Sequence, residues 1–256
     1  MSELLVGRHA VWEALRAGKR RFYRLWLEGV AESPHKGRLA EIVQKAGSRK
    51  IPLRYVEGGL FDRLRQSQLH PHGVALETGP FSYADLYDLL DIGKRKADPL
   101  FLILDHLEDP RNLGTLFRSC EAFGVDGVIL PERRAAGITP AVSNASSGAV
   151  EHLPVAQVTN INRTIDLMKE SDIWTVGLDI QPGAIPLSEA DLGGRLAVVV
   201  GNEGKGLSRL AREKCDFCVT IPMKGAVDSL NAAIAGSIVL HSAFAARTSS
   251  AEPSDG

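Results

Sequence analysis

Three short segments carry polar side chains and glycines of the kind that bind ligands, and each follows an apolar run. The first contains Asn112 and Arg118, the second is the glycine-rich stretch 201–206, and the third extends from Ile221 to Asn231. An amide or a guanidinium can hold a polar substrate, and glycines let a ligand approach the bare backbone. Each segment is therefore a candidate binding site.

Some of these side chains also have ordinary structural explanations. Asn112 lies near a predicted helix start and could be its cap, and Arg118 could be a surface residue. Ser229 or Asp228 could cap the last helix. Asn231 is harder to explain, because an amide among apolar and small residues needs hydrogen-bond partners if it is buried. It would either tie two loops together or contact a ligand.

The sequence argues against the commoner nucleotide and metal sites. In a P-loop the lysine is followed by Ser or Thr, whereas Gly206 follows Lys205, and the glycine spacing is not that of a dinucleotide-binding turn. Cys215 and Cys218 have Cys-x-x-Cys spacing, but a structural zinc site needs about four ligands and the sequence has no second pair. We expect no bound metal.

Apolar runs and helical patterns position the three segments. Buried strands are predicted at 100–104, 127–130, 174–178, 196–200 and 218–221, and helices at 112–123, 160–170, 206–213 and 229–247. Continuous apolar strands that alternate with helices indicate an α/β fold with a mostly parallel sheet. Ligands bind beyond the carboxyl ends of the strands in such sheets, and the polar segments follow strand ends.

The first 78 residues predict a separate, smaller α/β unit. Its helices are predicted at 8–17, 36–47 and 58–66 and its strands at 24–27, 53–56 and 73–76. Residues 79–99, bounded by a Gly-Pro and an Asp-Pro pair, are predicted to be a linker. Residues 100–247 then form the larger domain, and residues 248–256 are predicted to be a disordered tail.

The two parts of the chain differ in charge, although the formal net charge of the whole is −1. Residues 1–97 contain 17 Lys and Arg against 11 Asp and Glu, and residues 98–256 contain 13 against 20. A basic first part suits a phosphate backbone, although a solvated surface has the same composition. The interleaved Phe22 and Tyr23 could stack on unpaired bases or pack in the core. The candidate RNA-binding residues are Arg16, Lys19, Arg20, Arg21 and Lys50.

Composition also indicates where the protein works. No apolar run approaches the ~20 residues that cross a bilayer, and the first residues lack the pattern of a signal peptide. Three cysteines are too few for a disulfide framework. We therefore expect a cytoplasmic protein, with neither a membrane nor DNA as a partner.

In this order and at these spacings, the three segments resemble the signature motifs of the SpoU (TrmH-like) family of RNA 2′-O-ribose methyltransferases. The first motif runs from Asn112 to Arg118, the second begins at Gly201, and the third combines 221–223 with 229–231. This resemblance covers residues 100–246. The first unit bears a looser likeness to the ribosomal-protein-like RNA-binding domain of members that act on large-subunit rRNA.

The resemblance implies a SPOUT-type trefoil-knotted methyltransferase domain, S-adenosylmethionine as the cofactor, and a homodimer that completes the active site. The implied reaction is methyl transfer to a ribose 2′-hydroxyl, with a guanosine of 23S rRNA as the expected target. The residues implied to line the cofactor pocket are Gly201, Ile221 and Leu230. Those implied to surround the reacting ribose are Asn112, Arg118, Glu203, Ser229 and Asn231.

The resemblance also implies that Arg118 is the general base, which is a difficult role for its side chain. A guanidinium has a pKa above about 12 and resists deprotonation. A second hypothesis is that Arg118 grips a substrate phosphate and polarises the hydroxyl, whose proton leaves late. In that case Arg118→Lys keeps part of the activity.

One departure from the family pattern leaves the RNA target open, because Pro71-His72-Gly73 stands where close relatives are expected to have His-Gln-Gly. The alternatives within the class are a tRNA methyltransferase and an rRNA methyltransferase that confers antibiotic resistance. From other classes come a non-catalytic RNA-binding factor for ribosome assembly and a nucleotide-hydrolysing enzyme. The missing Ser or Thr after Lys205 disfavours the hydrolase.

Overall fold

The computed structural model describes residues 2–31, 34–226 and 229–249. The chain divides into two compact units, the first made of Met1–Ser82 and Ile138–His152 and the second of Tyr83–Gly137 and Leu153–Gly256. The sequence does not predict the return of Ile138–His152 to the first unit, because this stretch lacks the periodic apolar pattern of a core element.

A four-stranded sheet forms the centre of the first unit. The strand order is β1-β4-β2-β3, in which β2 and β3 are parallel and the other neighbours are antiparallel. Leu25 and Leu27 pack in the main core with residues of α1 and α2, whereas Phe61 of α3 packs with Ala75 in a separate cluster. The elements are β1 (Glu3–Val6), α1 (Arg8–Ala17), β2 (Phe22–Glu28), α2 (Arg38–Ser48), β3 (Leu53–Val56), α3 (Leu60–Gln66) and β4 (Val74–Thr78).

The rest of the chain forms the second unit, apart from α6, which lies in the segment that returns to the first unit. The elements are α4 (Leu86–Arg95), β5 (Leu100–Asp105), α5 (Pro110–Ala122), β6 (Gly127–Pro131), α6 (Pro140–Ala145), β7 (Val155–Val158), α7 (Ile161–Glu170), β8 (Trp174–Leu178), β9 (Ile185–Pro186), β10 (Leu196–Gly201), α8 (Arg209–Lys214), β11 (Phe217–Thr220) and α9 (Ala232–Ser249).

Seven strands form the sheet of the second unit, in the order β7-β6-β5-β10-β8-β11-β9, and all neighbours are parallel. The predicted α/β fold with a mostly parallel sheet is therefore confirmed. All five predicted strands are present, and the short β7 and β9 add the two edges. Strand β10 lies between β5 and β8, and β11 lies between β8 and β9, so both insert between strands that precede them in the chain. The loops that follow these strands are therefore neighbours, although they are far apart in the sequence.

Helices α8 and α9 each begin three residues later than the sequence predicts. Gly206 has a φ of +65°, and Ser208 caps α8, so this helix starts at Arg209 instead of 206. Asn231 caps α9, which starts at Ala232 and extends to Ser249. The first two residues of the predicted tail are thus helical, and residues 250–256 lie outside the described residues, as does Asp228. No described helix is long and apolar enough to cross a membrane.

The predicted linker 79–99 contains a helix of the second unit. Asp85 caps α4 by accepting a hydrogen bond from Tyr87 N at 2.8 Å. Leu89 and Leu90 of this helix are buried in the same core as Phe101. Residues of this stretch from Tyr83 onward therefore belong to the second unit. The apolar residues of α4 recur at helical spacing, so one face of the helix packs in the core.

Candidate active site

The three polar segments meet at one edge of the seven-stranded sheet. Strand β10 lies between β5 and β8, and Gly201 is paired in register with Asp105 at the ends of β10 and β5. Strand β11 lies next to β8, on the side of β8 that faces away from β10. Since all these strands are parallel, their carboxyl ends and the loops that follow lie together.

A buried carboxylate fixes the loop after β5. Asp105 is 2% exposed, and its Oδ2 accepts a hydrogen bond from Ser208 N at 2.8 Å. Its Oδ1 lies 2.6 Å from Nδ1 of His106, whose backbone has a φ of +64°. The carbonyl oxygen of His106 accepts a hydrogen bond from Asn202 Nδ2 at 2.9 Å. The loop after β5 is thus tied to the loop after β10.

The cap of α5 is Asp109 and not Asn112. Asp109 Oδ1 accepts a hydrogen bond from Arg111 N at 2.8 Å, and this bond lowers the pKa of the Asp109 carboxyl. Pro110 occupies the first turn, where its missing N–H costs nothing. The capping explanation for Asn112 is therefore wrong, and its amide is available for other partners.

Asn112 links all three segments through its side-chain amide. Its Nδ2 donates to Glu203 Oε1 at 2.8 Å, and its Oδ1 accepts from Asn231 Nδ2 at 3.0 Å. Glu203 Oε1 also accepts from Asp109 N at 3.3 Å. Of the two alternatives for Asn231, the structure shows the tie between loops. Its Oδ1 also accepts from Ala233 N at 2.9 Å, so Asn231 caps α9 and the expectation that Ser229 does so is wrong.

The glycine-rich loop closes on itself directly after β10. Asn202 N donates to Gly206 O at 3.0 Å, and Gly206 N donates to Asn202 O at 2.9 Å. A Cβ on Gly201 would lie 2.1 Å from the carbonyl carbon of Gly206, so only glycine fits at position 201. At Gly204 the nearest atom to such a Cβ is 3.6 Å away. Gly201 is therefore required for the loop to close, whereas the space beside Gly204 would accept a side chain.

A cleft with a cavity volume of about 290 Å³ lies beside this loop. This volume is close to the lower end of the usual range of small-molecule sites, roughly 300–1,000 Å³. The walls include Gly201, Ile221 and Leu230, the three residues expected in the cofactor pocket, together with Ser229 and Glu203. Five of the eight residues predicted for the cofactor and the ribose thus line one cleft, whereas Asn112, Arg118 and Asn231 are not among its lining residues.

The wall of the cleft that follows β8 is not predicted from the sequence. Leu178, Ile180 and Gln181 line the cleft there, and Asp179 is buried among them. Asp179 Oδ1 accepts from Ile180 N at 2.8 Å, and its Oδ2 forms an ion pair with Arg212 of α8. These residues carry no motif, and only the strand order places β8 next to β10. A strand-order prediction is the signal that could have found them.

Arg118 lies about two turns along α5 from Asn112 and is exposed. Within the described part of the chain, its guanidinium makes no ion pair or side-chain hydrogen bond. A cation on the motif-bearing helix without a protein partner is available to an anionic ligand. This position fits both hypotheses for Arg118, that it is a surface residue and that it contacts the substrate.

The described residues contain no group of three or more His, Cys, Asp or Glu side chains placed to hold a metal ion. Burial raises the pKa of the Cys215 thiol to about 12, and it also raises the pKa of Cys218. Metals bind thiolates, so this environment does not favour binding at the Cys-x-x-Cys pair.

Four of the five candidate RNA-binding residues have exposed side chains in the first unit. Arg16 forms an ion pair with Glu13 at 2.9 Å, and Lys19 Nζ donates to His152 O at 2.8 Å. Arg21 lies 5.4 Å from the ring centroid of Tyr23. Lys50 is exposed. These side chains are accessible to an anionic partner.

Arg20 is the exception, and its predicted contact with RNA is wrong. The residue is 4% exposed, and its guanidinium donates to Glu151 at 2.8 and 2.9 Å and to Glu3 at 2.6 Å. Burial alone would lower the pKa of Arg20, but the bonds to Glu151 and Glu3 raise it. The side chain instead holds the segment Ile138–His152 within the first unit.

Comparisons with known proteins agree with the motifs. Residues 99–241 match the SpoU rRNA Methylase family, and residues 4–84 match the RNA 2′-O ribose methyltransferase substrate-binding family. The chain is 40% identical over 246 residues to the Bacillus subtilis (strain 168) protein named "Putative TrmH family tRNA/rRNA methyltransferase YacO", covering 96% of each chain.

Solved structures share the fold over nearly the whole chain. The SpoU methyltransferase AviRb from Streptomyces viridochromogenes, in complex with the cofactor AdoMet, superposes with a TM-score of 0.79 at 25% identity, covering 97% of this chain and 91% of AviRb. An AdoMet-bound rRNA methyltransferase from Sinorhizobium meliloti has a TM-score of 0.77 at 24% identity, covering 94% and 86%. From the family matches and the relative from B. subtilis, this chain belongs to the SpoU rRNA methylase family of RNA methyltransferases.

Proposed function

We propose that this chain transfers a methyl group from S-adenosylmethionine to a ribose 2′-hydroxyl of RNA, with a guanosine of 23S rRNA as the expected target. The observation that carries the proposal is the hydrogen-bonded set Asn112, Glu203 and Asn231 beside the cleft that follows β10. The family description supports rRNA, whereas the name of the B. subtilis relative gives both tRNA and rRNA.

The cleft suits S-adenosylmethionine chemically. Ile180 and Val200 offer apolar walls for an adenine ring, and Glu203 offers a negative charge for a cationic sulfonium. Gly201, Ile221 and Leu230, which line the cleft, would hold the cofactor. The cofactor found in AviRb supports this assignment.

When bound, the cofactor supplies an activated methyl group on a positively charged sulfur. The chain's own residues have to hold the ribose 2′-oxygen in line with that methyl group. Asn112, fixed between Glu203 and Asn231, orients the ribose, and Ser229 lies in the same cleft as a further hydrogen-bonding group. Arg118 grips the substrate phosphate through charge-assisted hydrogen bonds.

The finer features of the fold and assembly belong to the same proposal. The entry of β10 and β11 between earlier strands supports a trefoil knot, and the match of residues 4–84 supports a ribosomal-protein-like RNA-binding unit. Ile234, Ile238 and Phe244 are exposed on α9, which supports a homodimer of this cytoplasmic protein. Light scattering of the wild type should give a dimer mass that Ile238→Glu shifts toward the monomer.

The test incubates the protein with methyl-labelled S-adenosylmethionine and separate pools of undermodified rRNA and tRNA. Arg118→Ala is compared with Arg209→Ala, which removes an exposed arginine of α8 that pairs with Glu213. We expect label in rRNA with the wild type and Arg209→Ala and none with Arg118→Ala, whose cofactor affinity is unchanged.

Label in tRNA alone would move the target to the tRNA alternative. Failure to bind S-adenosylmethionine, together with tight rRNA binding, would replace the proposal with the non-catalytic assembly factor. Partial activity of Arg118→Lys supports the phosphate-gripping role, and a folded, cofactor-binding but inactive Lys variant contradicts it.

A further inference from the structure

Arginine side chains in the first unit lie on aromatic rings more often than usual. Five guanidiniums lie 4.8–5.6 Å from ring centroids among the described residues, and all are in this unit. Energetically significant pairs of this kind occur roughly once per 70–80 residues, so the unit is enriched in them. Two of the pairs, Arg21 on Tyr23 and Arg24 on Trp26, lie at β2.

One face of the four-stranded sheet carries the Arg24–Trp26 pair. Leu25 and Leu27 belong to the main core, so the alternating Arg24 and Trp26 point to the opposite face. Arg54 of β3 is directly opposite Trp26 in the parallel register and is exposed. This face thus carries two cationic side chains, Arg24 and Arg54, next to the aromatic ring of Trp26.

Helix α3 covers only part of this face. Phe61 packs there with Ala75, and Trp26 packs partly against that cluster. Toward the start of β2 the register shifts between Phe22 and Arg24, which leaves Tyr23 as an extra residue. Tyr23 is 37% exposed, so this end of β2 remains open.

The charge of this surface favours an anion. Arg21, Arg24 and Arg54 outnumber Glu77, which is opposite Arg24 in the register with β4. Glu28, further along the same face, is neutralised by an ion pair with Arg65 of α3. Unpaired RNA bases stack on aromatic rings and on guanidinium planes, and four-stranded sheets with exposed aromatic residues are one common way of binding them. A regular duplex keeps its bases stacked inside and cannot use such rings.

We propose that the stacking face, defined as Arg21, Tyr23, Arg24, Trp26 and Arg54, binds an unpaired segment of the substrate RNA by base stacking and phosphate contacts. This inference rests on the proposed function for the identity of the RNA as substrate. The stacking face would bind single-stranded RNA with little dependence on sequence. The methylated nucleotide should therefore lie near an unpaired stretch.

The test measures binding of the full-length protein to fluorescent oligo(A) of about ten nucleotides, against the same length of duplex RNA, over a series of salt concentrations. Two matched pairs of variants isolate the face. Tyr23→Leu is compared with Tyr87→Leu, which removes an exposed tyrosine of α4. Arg24→Gln is compared with Arg38→Gln, which removes an arginine 4.8 Å from the Trp12 ring centroid, outside the stacking face.

We expect the single strand to bind more tightly than the duplex. Tyr23→Leu should weaken binding roughly 5- to 150-fold with an unchanged salt dependence, since each stacked base contributes that range. Arg24→Gln should weaken binding and reduce the slope of log K against log salt by about one. The two controls should bind as the wild type does.

The inference is overturned if Tyr23→Leu and Arg24→Gln bind like their controls, or if the duplex binds as tightly as the single strand. Thermal unfolding and S-adenosylmethionine titration of each variant show that the second unit is intact. Binding is measured without methyl transfer, so loss of the stacking face with normal cofactor binding is distinct from failure of the proposed reaction.

Discussion

Asn231 donates a hydrogen bond from Nδ2 to Oδ1 of Asn112 over 3.0 Å, although the two residues are 119 positions apart in the chain. The same Asn231 side chain uses its Oδ1 to cap α9. One amide therefore fixes the start of the last helix and the orientation of the Asn112 amide, which in turn binds Glu203. The stability of α9 and the geometry of the site are coupled at this residue.

Substitutions of Asn231 should separate these two tasks. Asn231→Ala loses the cap and the link, so unfolding should require about 1 kcal/mol less free energy and methyl transfer should fall at least tenfold. Asn231→Asp keeps an oxygen for the cap but cannot donate to Asn112, so it should be as stable as the wild type and still impaired. Urea unfolding and steady-state kinetics measure both. A fully active Asp variant would contradict the coupling.

Gly201 and Gly204 should respond differently to the same small change. The Cβ of Gly201→Ala would overlap the backbone of Gly206, so the loop has to move and S-adenosylmethionine affinity should fall at least tenfold. Gly204→Ala meets only an ordinary contact at 3.6 Å and is the control. Calorimetric titration of both variants compares them. Equal affinities would mean that loop closure does not shape the cleft.

Removing one partner of the buried ion pair between Arg20 and Glu151 should strongly destabilise the first unit. Arg20→Met or Glu151→Gln leaves buried charge or polar groups unpaired, which typically costs about 3–5 kcal/mol of unfolding free energy. Arg21→Gln, at the neighbouring exposed position, should change it by less than about 0.5 kcal/mol. Denaturant unfolding tests this. If the two arginine variants are equally stable, the buried network is not what holds Ile138–His152.

Asp216 should make stability depend on pH in the acid range. Burial alone would raise its pKa, but hydrogen bonds from Thr175 and the ion pair with Lys169 lower it below the ordinary 3.8. Because the pKa is lower in the folded state, this stabilisation is present above the ordinary value and is lost as pH falls through the folded one. The stability gap between wild type and Asp216→Asn should therefore shrink below about pH 4. A gap independent of pH would contradict the assignment.

The periodic apolar runs were enough to predict the parallel α/β fold of the second unit, since each buried strand is a continuous run such as Leu100–Asp105. The motifs likewise identified Asn112, Glu203 and Asn231 as candidates, but not the bonds between them. Those bonds depend on strand order, because β10 has to enter between β5 and β8 before Glu203 can meet Asn112.

The failures of sequence reasoning have a common cause in tertiary contacts. Arg20 looks like any residue of a basic cluster, and only Glu151, 131 positions away, shows that its charge is buried. The wall formed by Leu178 and Ile180 has no motif because it lines the cleft through its position beside β10. Local patterns carry no information about partners of this kind.

The position of the methyl group that the protein adds tests the proposed reaction most directly. The wild type is incubated with undermodified rRNA and methyl-labelled S-adenosylmethionine, and the RNA is digested and analysed by mass spectrometry. We expect label on one ribose 2′-oxygen with the wild type and no label with Arg118→Ala. Label on a base, or no label from a wild type that binds S-adenosylmethionine and rRNA normally, would contradict it.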